Sequence, residues 1–262
     1  MAFACGNCLQ HVTLNIRMIS PIASEISGGM CAAAGLGLIA GGVAYAALWP
    51  GSRLFGSALT APARPRELAL TFDDGPNPAW TPRLLDMLAS REVRASFFLL
   101  GSRAEAQPEL VRQIAAAGHL IGNHSWSHCN LALASVRRID EELTRANQTL
   151  QQITGASIGY FRPPFGARRP EVLRAARRLG MIPVLWNAMT SDWKNPSASA
   201  IANRLINRID CLERQGQAAN IVLHDGGHRE PTANRAASVA AAAQLITHYK
   251  ESRSFVTLDA WS

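Results

Sequence analysis

The chain has 262 residues, of which 48% are hydrophobic, and a formal net charge of +7 at pH 7. A chain of this length can bury one large core or two smaller ones. The positive charge is almost entirely arginine and forms no basic runs interleaved with aromatic residues, so we expect no nucleic-acid binding. The five cysteines form no disulfide framework, and Cys5 and Cys8 lack the second pair that a zinc knuckle requires. No protein partner is readable from the sequence.

An uncharged segment, residues 26–52, consists mostly of glycine, alanine and aliphatic residues. Because a helix needs roughly 20 apolar residues to cross a bilayer, we expect a transmembrane anchor here, preceded by a disordered tail at residues 1–25. A cleaved signal peptide is the alternative, but the cleavage-like sequence Ala61-Pro62-Ala63 lies well beyond the apolar segment and contains a proline. Three arginines follow the segment closely and one precedes it, which by charge alone favours a cytoplasmic location for the rest of the chain.

Residues 53–66 contain two prolines and predict a short stiff linker, and residues 67–262 predict one α/β domain. The predicted strands are Leu68–Phe72, Ala95–Leu100, Leu120–Asn123, Tyr160–Arg162, Ile182–Trp186, Ile221–Leu223 and Phe255–Leu258. The predicted helices are Thr81–Ser90, Pro108–Ala117, Ser135–Ile153, Pro170–Leu179, Ala198–Arg208 and Asn234–Tyr249. Seven strands that alternate with helices predict a parallel sheet, open or closed as a barrel, with the chemistry at the carboxyl ends of the strands.

Polar clusters lie at the ends of five of these strands, and together they predict one functional site. The clusters are Asp73-Asp74, Asn123-His124-Ser125-Trp126-Ser127-His128, Arg162-Pro163-Pro164-Phe165-Gly166, Asp192-Trp193 and Leu223-His224-Asp225-Gly226. Carboxyl ends of parallel strands meet at one edge of a sheet, so we expect these clusters to meet there as well.

Two adjacent carboxylates, Asp73 and Asp74, repel each other at the end of a buried strand unless a cation neutralises the pair. His124 and His128 are four residues apart, so a single helical turn would place both imidazoles on one side. With Asp74 they make a three-ligand set that leaves an open position, as catalytic zinc sites require. The alternative, that both histidines are ordinary core or surface residues, is disfavoured by the neighbouring clusters.

Three further residues are weaker candidates. Cys129 could be a spare metal ligand, but we favour a small buried hydrophobe. His119 begins a predicted strand and is expected to be structural. His228 is close enough in sequence to His224 to line a cleft, but no motif supports a further role.

These five clusters, in this order, resemble the five motifs of the polysaccharide deacetylases, the NodB-homology group also called carbohydrate esterase family 4. The resemblance covers roughly Arg66 to Trp261, and its most specific parts are the paired aspartates and the His-x-x-x-His spacing. It implies a catalytic domain at residues 67–262 with a distorted (β/α) barrel of fewer than eight repeats. That implied fold agrees with the seven predicted strands.

The resemblance also implies roles for the matching residues around the paired aspartates. Asp74, His124 and His128 would bind one divalent metal ion, Zn²⁺ in the first instance, with Co²⁺ or Mn²⁺ as alternatives. Asp73 would be the general base, and Arg162 would hold and tune it. These roles agree with elementary chemistry, because a bound metal acidifies water and a nearby carboxylate can then take the water's proton.

On the opposite side of the site, the resemblance implies that His224 is the general acid and that Asp192 orients it. The backbone amide of Phe165 would help to stabilise the oxyanion, and Trp193 and Leu223 would shape the pocket for the acetyl methyl group. Phe165 departs from the more usual tyrosine, which removes a hydroxyl but leaves the main-chain role intact. An amine is a poor leaving group unless it is protonated, so a separate acid is chemically required.

The implied function is removal of N-acetyl groups from N-acetylhexosamine units of a cell-envelope or related polysaccharide, an acetylated glycan. The alternatives are hydrolysis of an O-acetyl ester or another amide at the same site, or a catalytically inactive glycan-binding membrane protein. The last is disfavoured because no predicted ligand, acid or base is missing. The resemblance places the catalytic domain in the periplasm or outside the cell, against the arginine distribution, and we follow the resemblance. A cytoplasmic domain would instead act on lipid-linked or nucleotide-linked sugar precursors.

Overall fold

The computed structural model describes residues 54–262 and, before them, residues 41, 42, 45, 47 and 52. The chain divides into two compact units, Met1–Ala44 and Tyr45–Ser262. Of the first unit only Gly41 and Gly42 are described, and both are helical. The predicted tail and nearly all of the predicted anchor therefore lie outside the described residues. Within the described part of the chain, no helix combines the length and the apolar character needed to cross a bilayer.

The second unit is built on a curled sheet whose strand pairs are all parallel. Its strands are β1 (Glu67–Gly75), β2 (Ser96–Leu99), β3 (Leu120–Asn123), β4 (Tyr160–Phe161), β5 (Ile182–Pro183), β6 (Ala188–Met189), β7 (Ala219–His224) and β8 (Ser254–Phe255). Seven of them lie in the order β5-β4-β3-β2-β1-β7-β6, and β8 pairs with the start of β1. This arrangement confirms the predicted distorted (β/α) barrel with about seven parallel strands.

Helices surround the sheet. They are α1 (Thr81–Ala89), α2 (Gly101–Ala106), α3 (Pro108–Ala116), α4 (Val136–Thr154), α5 (Pro170–Arg178), α6 (Ala198–Arg214) and α7 (Ala236–Tyr249), with short 3-10 turns at Pro164–Gly166, Asp192–Lys194 and Leu258–Trp261. Serine side chains cap the two longest helices: the Ser135 hydroxyl accepts from the Arg138 N–H and the Ser197 hydroxyl accepts from the Ala200 N–H, both at 3.2 Å. Each cap satisfies a backbone donor that has no partner within the helix.

The side chains of β1 alternate between two environments. Leu68, Leu70 and Phe72 pack in the main hydrophobic core with residues of the surrounding helices, and the Phe72 ring lies 5.4 Å from the ring of Phe97. Ala69, on the other face, belongs to a smaller cluster with Phe98 and Trp261, which fills the inside of the curled sheet. Because successive strand residues face opposite sides, this alternation directs Thr71 and Asp73 toward the inside as well.

The predicted linker contributes to the sheet. Leu59 bridges Val184 in parallel, and its N–H donates to the Pro183 carbonyl at 2.8 Å. Asn220 of β7 then donates from Nδ2 to the carbonyls of Thr60 at 3.0 Å and Leu185 at 2.7 Å. The linker segment thus forms hydrogen bonds to the β5 segment on one side and to β7 on the other.

Several boundaries differ from the sequence predictions. β1 extends to Gly75, so both aspartates lie inside the strand instead of following it. The predicted strand Ile182–Trp186 is shorter, because only Ile182–Pro183 pairs as β5, and a separate strand, β6, follows at Ala188–Met189 and pairs with β7 instead of β4. Helix α2 was not predicted, since its six residues are too few to show a helical period.

Candidate active site

The polar clusters predicted from the sequence meet in a cleft of about 500 Å³ at the carboxyl ends of the strands. The predicted site residues that line it are Asp73, Asp74, His124, His128, Phe165, Trp193 and His224. Two further predicted residues, Arg162 and Asp192, are completely buried directly behind Asp73 and His224. The cleft therefore brings together residues from five separate strand ends.

A bulge in β1 explains how two consecutive residues reach the same cleft. Neighbouring strand residues normally face opposite sides of a sheet. The register of β1 against β2 shifts between Asp73 and Gly75, and Asp74 adopts a left-handed conformation with φ of 70°. This irregularity turns the Asp74 carboxylate to the side that Asp73 already faces, a use of bulges that is common next to active sites.

Asp74, His124 and His128 form the centre of the cleft. The Nε2 atoms of His124 and His128 lie 3.4 and 3.1 Å from the same oxygen, Asp74 Oδ1. The side chains of His124, His128 and Asp74 are 3%, 6% and 4% exposed, so water does not solvate this cluster freely. The three side chains predicted as metal ligands thus converge on one point.

This donor set fits a divalent cation. His124 Nδ1 lies 2.8 Å from the Arg162 carbonyl oxygen and must donate to it, which leaves Nε2, the ring nitrogen that faces Asp74, available as a metal ligand. Burial lowers the pKa of His128 despite the nearby carboxylate, which favours the neutral imidazole that a metal requires. Asp74 Oδ1, on which both imidazoles converge, is buried. Two imidazole nitrogens and one carboxylate oxygen that converge on one point form the donor set that a zinc-like cation requires.

Asp74 is ionised in this setting. Burial disfavours its charged form, but the surrounding imidazoles of His124, His128 and His228 outweigh burial and hold the pKa of the carboxyl well below its usual value. An ionised carboxylate is the form of Asp74 that metal binding needs.

The segment from His124 to His128 is a loop and not the helical turn expected from the spacing. Ser125 and His128 adopt left-handed backbone conformations, with φ of 70° and 60°. The loop is held from outside by Glu142 of α4, which is 1% exposed. Its carboxylate accepts from the N–H groups of Trp126 at 2.9 Å and Ser127 at 2.8 Å, and from the Ser127 hydroxyl at 2.6 Å. The sequence analysis missed Glu142, because nothing in a helical pattern marks one acid among several.

Arg162 pairs with Asp73 as predicted. Its Nη1 donates to Asp73 Oδ1 at 2.7 Å and to the Thr71 hydroxyl at 2.6 Å, and Nη2 donates to Asn220 Oδ1 at 3.2 Å. The guanidinium is fully buried and lies 4.1 Å from the centre of the Phe98 ring. Burial lowers the pKa of Arg162, while the Asp73 carboxylate works in the opposite direction. The pair is therefore fixed, with one Asp73 oxygen bonded to arginine.

His224 and Asp192 form a second charged pair in the cleft. Asp192, completely buried, places Oδ1 2.9 Å from His224 Nδ1, while its Oδ2 accepts from the His224 N–H at 2.9 Å and the Ser238 hydroxyl at 2.7 Å. Burial alone lowers the pKa of the imidazole, but the Asp192 carboxylate outweighs it and raises the pKa of His224 to about 9. His224 therefore carries a proton at neutral pH.

The three predicted pocket residues have different positions. Phe165 is half exposed in a left-handed conformation, φ 59°, and its ring lies 4.5 Å from that of His128. Trp193 is 41% exposed, with its ring 5.2 Å from His224. Leu223 is not brought to the cleft: it is fully buried in the main core, because alternation along β7 turns it away while Val222 and His224 line the cleft.

The three weaker candidates lie in different surroundings. His119 accepts from the Ala95 N–H at 3.2 Å away from the cleft, and burial lowers its pKa to about 4, in agreement with a structural role. Cys129 packs partly buried against the main core. His228, by contrast, lies against the cluster of Asp74, His124 and His128, with its ring stacked 4.5 Å from that of His128. Only its four-residue distance from His224 could have indicated this position from the sequence.

Comparisons with known proteins agree with the geometry. A family model described as polysaccharide deacetylase matches residues 60–184. The chain is 36% identical over 183 residues to a chitooligosaccharide deacetylase of Sinorhizobium fredii, an alignment that covers 68% of this chain and 82% of that protein. This chain belongs to the polysaccharide deacetylase family.

Two more members of the polysaccharide deacetylase family extend the comparison. A peptidoglycan-N-acetylglucosamine deacetylase of Bacillus cereus is 39% identical over 149 residues, and the match covers 57% of this chain and about half, 54%, of that protein. A solved structure of a peptidoglycan N-acetylglucosamine deacetylase shares 34% identity with a TM-score of 0.69, covering 78% of this chain and 91% of that one. These relatives are hydrolases of N-acetyl groups, which confirms the predicted family and enzyme class.

Proposed function

We propose that this protein is a metal-dependent hydrolase that removes N-acetyl groups from N-acetylhexosamine units of a cell-envelope or related polysaccharide. The observation that carries the proposal is one cleft in which the Asp73–Arg162 pair and the His224–Asp192 pair accompany the Asp74 cluster. Family membership and the named activities of the relatives support it.

Asp74, His124 and His128 would hold the metal ion, most naturally Zn²⁺, with Co²⁺ or Mn²⁺ as alternatives that nitrogen and oxygen donors also accept. A divalent cation bound there would supply Lewis acidity toward the acetyl carbonyl and acidify a water molecule.

Asp73 is the proposed general base. One of its oxygens is bonded to Arg162, which fixes the carboxylate's orientation and leaves its other oxygen able to take a proton from water. The side chain is nearly buried, and a desolvated carboxylate held in place transfers protons efficiently.

His224 is the proposed general acid. It stands directly opposite Asp73 in the β1–β7 register, so both side chains project to the same side of the sheet. With Nδ1 bonded to Asp192, Nε2 is the atom that would protonate the departing nitrogen. Separate residues for base and acid allow both proton transfers without rearrangement of the site.

The two alternatives differ in what they require. An O-acetyl ester has a better leaving group and needs the acid less, so the raised pKa of His224, to about 9, favours the amide. A glycan-binding protein without catalysis would not need the buried Arg162 and Asp192 partners. Half-exposed aromatic rings at the cleft, Phe165 and Trp193, suit a sugar substrate in either case.

We further propose that residues 26–52 anchor the protein in a membrane and that residues 67–262 face the periplasm or the exterior, where envelope glycans occur. The uncharged composition of that segment and the peptidoglycan-directed relatives support this location. Fusion of a reporter that works only in the periplasm to the carboxyl end should give signal, and activity of a cytosol-only reporter would contradict it.

The activity test is acetate release from N-acetylglucosamine oligomers by metal-loaded protein, with and without a chelator. We expect release that stops with chelation and returns with metal. A panel that adds acetylated peptidoglycan and O-acetylated xylan would separate amide from ester hydrolysis. If metal-loaded protein binds the oligomers but releases no acetate, and Asp73→Asn makes no difference, the enzyme proposal fails.

A further inference from the structure

A fourth histidine lies at the proposed metal site. The His228 ring stacks on that of His128, with centroids 4.5 Å and planes 15° apart, and its Nδ1 lies 3.8 Å from Asp74 Oδ2. Ligand atoms of Asp74, His128 and His228 all lie within 4.8 Å of one another. Such distances are short enough for one cation to contact all three side chains once the His228 ring turns out of the stack and directs a nitrogen lone pair toward the site.

The loop that carries His228 is built to hold this position. Gly226 passes so close to Asp74 that a Cβ there would lie 1.9 Å from the Asp74 carbonyl oxygen. Buried Arg235 donates to the Gly226 carbonyl at 2.6 Å, and buried Arg103 donates to the carbonyl of the following glycine. The His228 N–H itself donates to Asp74 Oδ2 at 3.2 Å. The backbone of His228 is therefore tied to the Asp74 carboxylate.

The two oxygens of Asp74 face different partners. Oδ1 lies beside His124 and His128, while Oδ2 lies beside the main chain and ring of His228. The His228 side chain is 35% exposed, against 3% and 6% for the other two histidines. His228 is thus the member of the cluster whose ring can turn toward or away from the site.

We propose that His228 is a fourth, displaceable metal-binding side chain, an inference that rests on the metal site of the proposed function. Four protein ligands make a closed site, whereas hydrolysis needs an open position. In the resting enzyme His228 would occupy that position and retain the metal. Substrate entering the cleft would turn the exposed ring away, without disturbing the three buried ligands.

The test measures metal affinity and coordination in the full chain. Zn²⁺ affinity is obtained by competition with a chromophoric chelator, and the visible absorption spectrum of the Co²⁺-loaded protein reports the ligand set. His228→Ala removes ring and ligand, whereas His228→Phe keeps an aromatic ring on His128 but removes the nitrogens. His248→Ala, at an exposed histidine of α7, is the matched control. Asp74→Asn tests the metal site itself.

Both His228 variants should weaken Zn²⁺ binding by about tenfold and alter the Co²⁺ spectrum, while His248→Ala leaves both unchanged. Asp74→Asn should lose far more affinity. If His228→Phe binds Zn²⁺ and shows a Co²⁺ spectrum like the parent protein, His228 acts only by packing and the inference is overturned, even where His228→Ala is weakened. If Asp74→Asn also binds normally, the proposed metal site fails together with the inference.

Discussion

Asp73 and Asp74 are adjacent in sequence but have separate surroundings. Asp73 bonds to the fully buried Arg162, while Asp74 lies among histidines. Repulsion between the two carboxylates is therefore relieved from two sides: an arginine offsets one charge, and the other is placed to bind a cation. This leaves Asp73 available for proton transfer.

Arg162→Met should destabilise the fold strongly, because it leaves the Asp73 carboxylate in a site that is at most 5% exposed without its partner. Removal of one partner of a buried ion pair costs about 3–5 kcal/mol. Urea denaturation would measure the change in free energy of unfolding. The double variant Arg162→Met with Asp73→Leu should recover part of the loss, and Arg137→Met, in an exposed pair, should change little. Equal stability of Arg162→Met and the parent would contradict the account.

The pH dependence of activity should report His224. An acid catalyst works only while it is protonated. Burial lowers the pKa of His224, but the Asp192 carboxylate has the stronger effect and raises this pKa to about 9. Activity therefore persists below this pH and falls as the pH rises through it. Asp192→Asn removes the charge that raises the pKa, so the alkaline limb of kcat/KM should move to lower pH. An unmoved limb would show that another group acts as the acid.

At the scale of elements, helix α4 supports a loop that it does not belong to. Glu142 holds the backbone of residues 126 and 127 through two N–H groups, and these residues lie between the two metal-site histidines. Because left-handed residues such as Ser125 and His128 persist only where their surroundings hold them, this contact should set the separation of the imidazoles.

Glu142→Ala should weaken metal binding by about tenfold without touching a proposed ligand, because it frees the loop between His124 and His128. The matched control is Glu141→Ala, on the same helix but with its side chain 48% exposed and bonded to Arg137 at 2.8 Å. Chelator competition gives both affinities. Equal losses for the two variants, or none for Glu142→Ala, would remove the positioning role.

Across the described domain, the sequence predicted a parallel sheet of about seven strands that alternate with helices, and it predicted which polar clusters meet. These follow from apolar runs and from where polar residues interrupt them. Strand ends were less predictable: the end of β5 at Pro183 and the start of β6 at Ala188 depend on pairing partners far away in the chain. The orientation of Leu223 away from the cleft was not predicted. It depends on the register of β7 against β1, which the sequence does not show.

At the site, the residue types could be predicted from the sequence, but their geometry could not. Residue types and spacing predicted the proposed metal ligands, and the resemblance to the polysaccharide deacetylases implied the proposed base and acid. The bulge at Asp74 and the loop from His124 to His128 depend on left-handed backbone conformations, which the spacing of residues does not encode. Glu142 was missed, and His228 was expected only to line a cleft, because each contacts residues that are distant in the sequence.

Zn²⁺ affinity and acetate release from N-acetylglucosamine oligomers, measured for both Asp73→Asn and Asp74→Asn, test the division of roles between the two aspartates. We expect Asp73→Asn to bind Zn²⁺ like the parent protein and to lose about 10²–10⁴-fold in kcat, the usual share of a general base. Asp74→Asn should fail to retain Zn²⁺ at all and lose activity for that reason. Loss of Zn²⁺ from Asp73→Asn, with retention by Asp74→Asn, would contradict the assignment of the two aspartates.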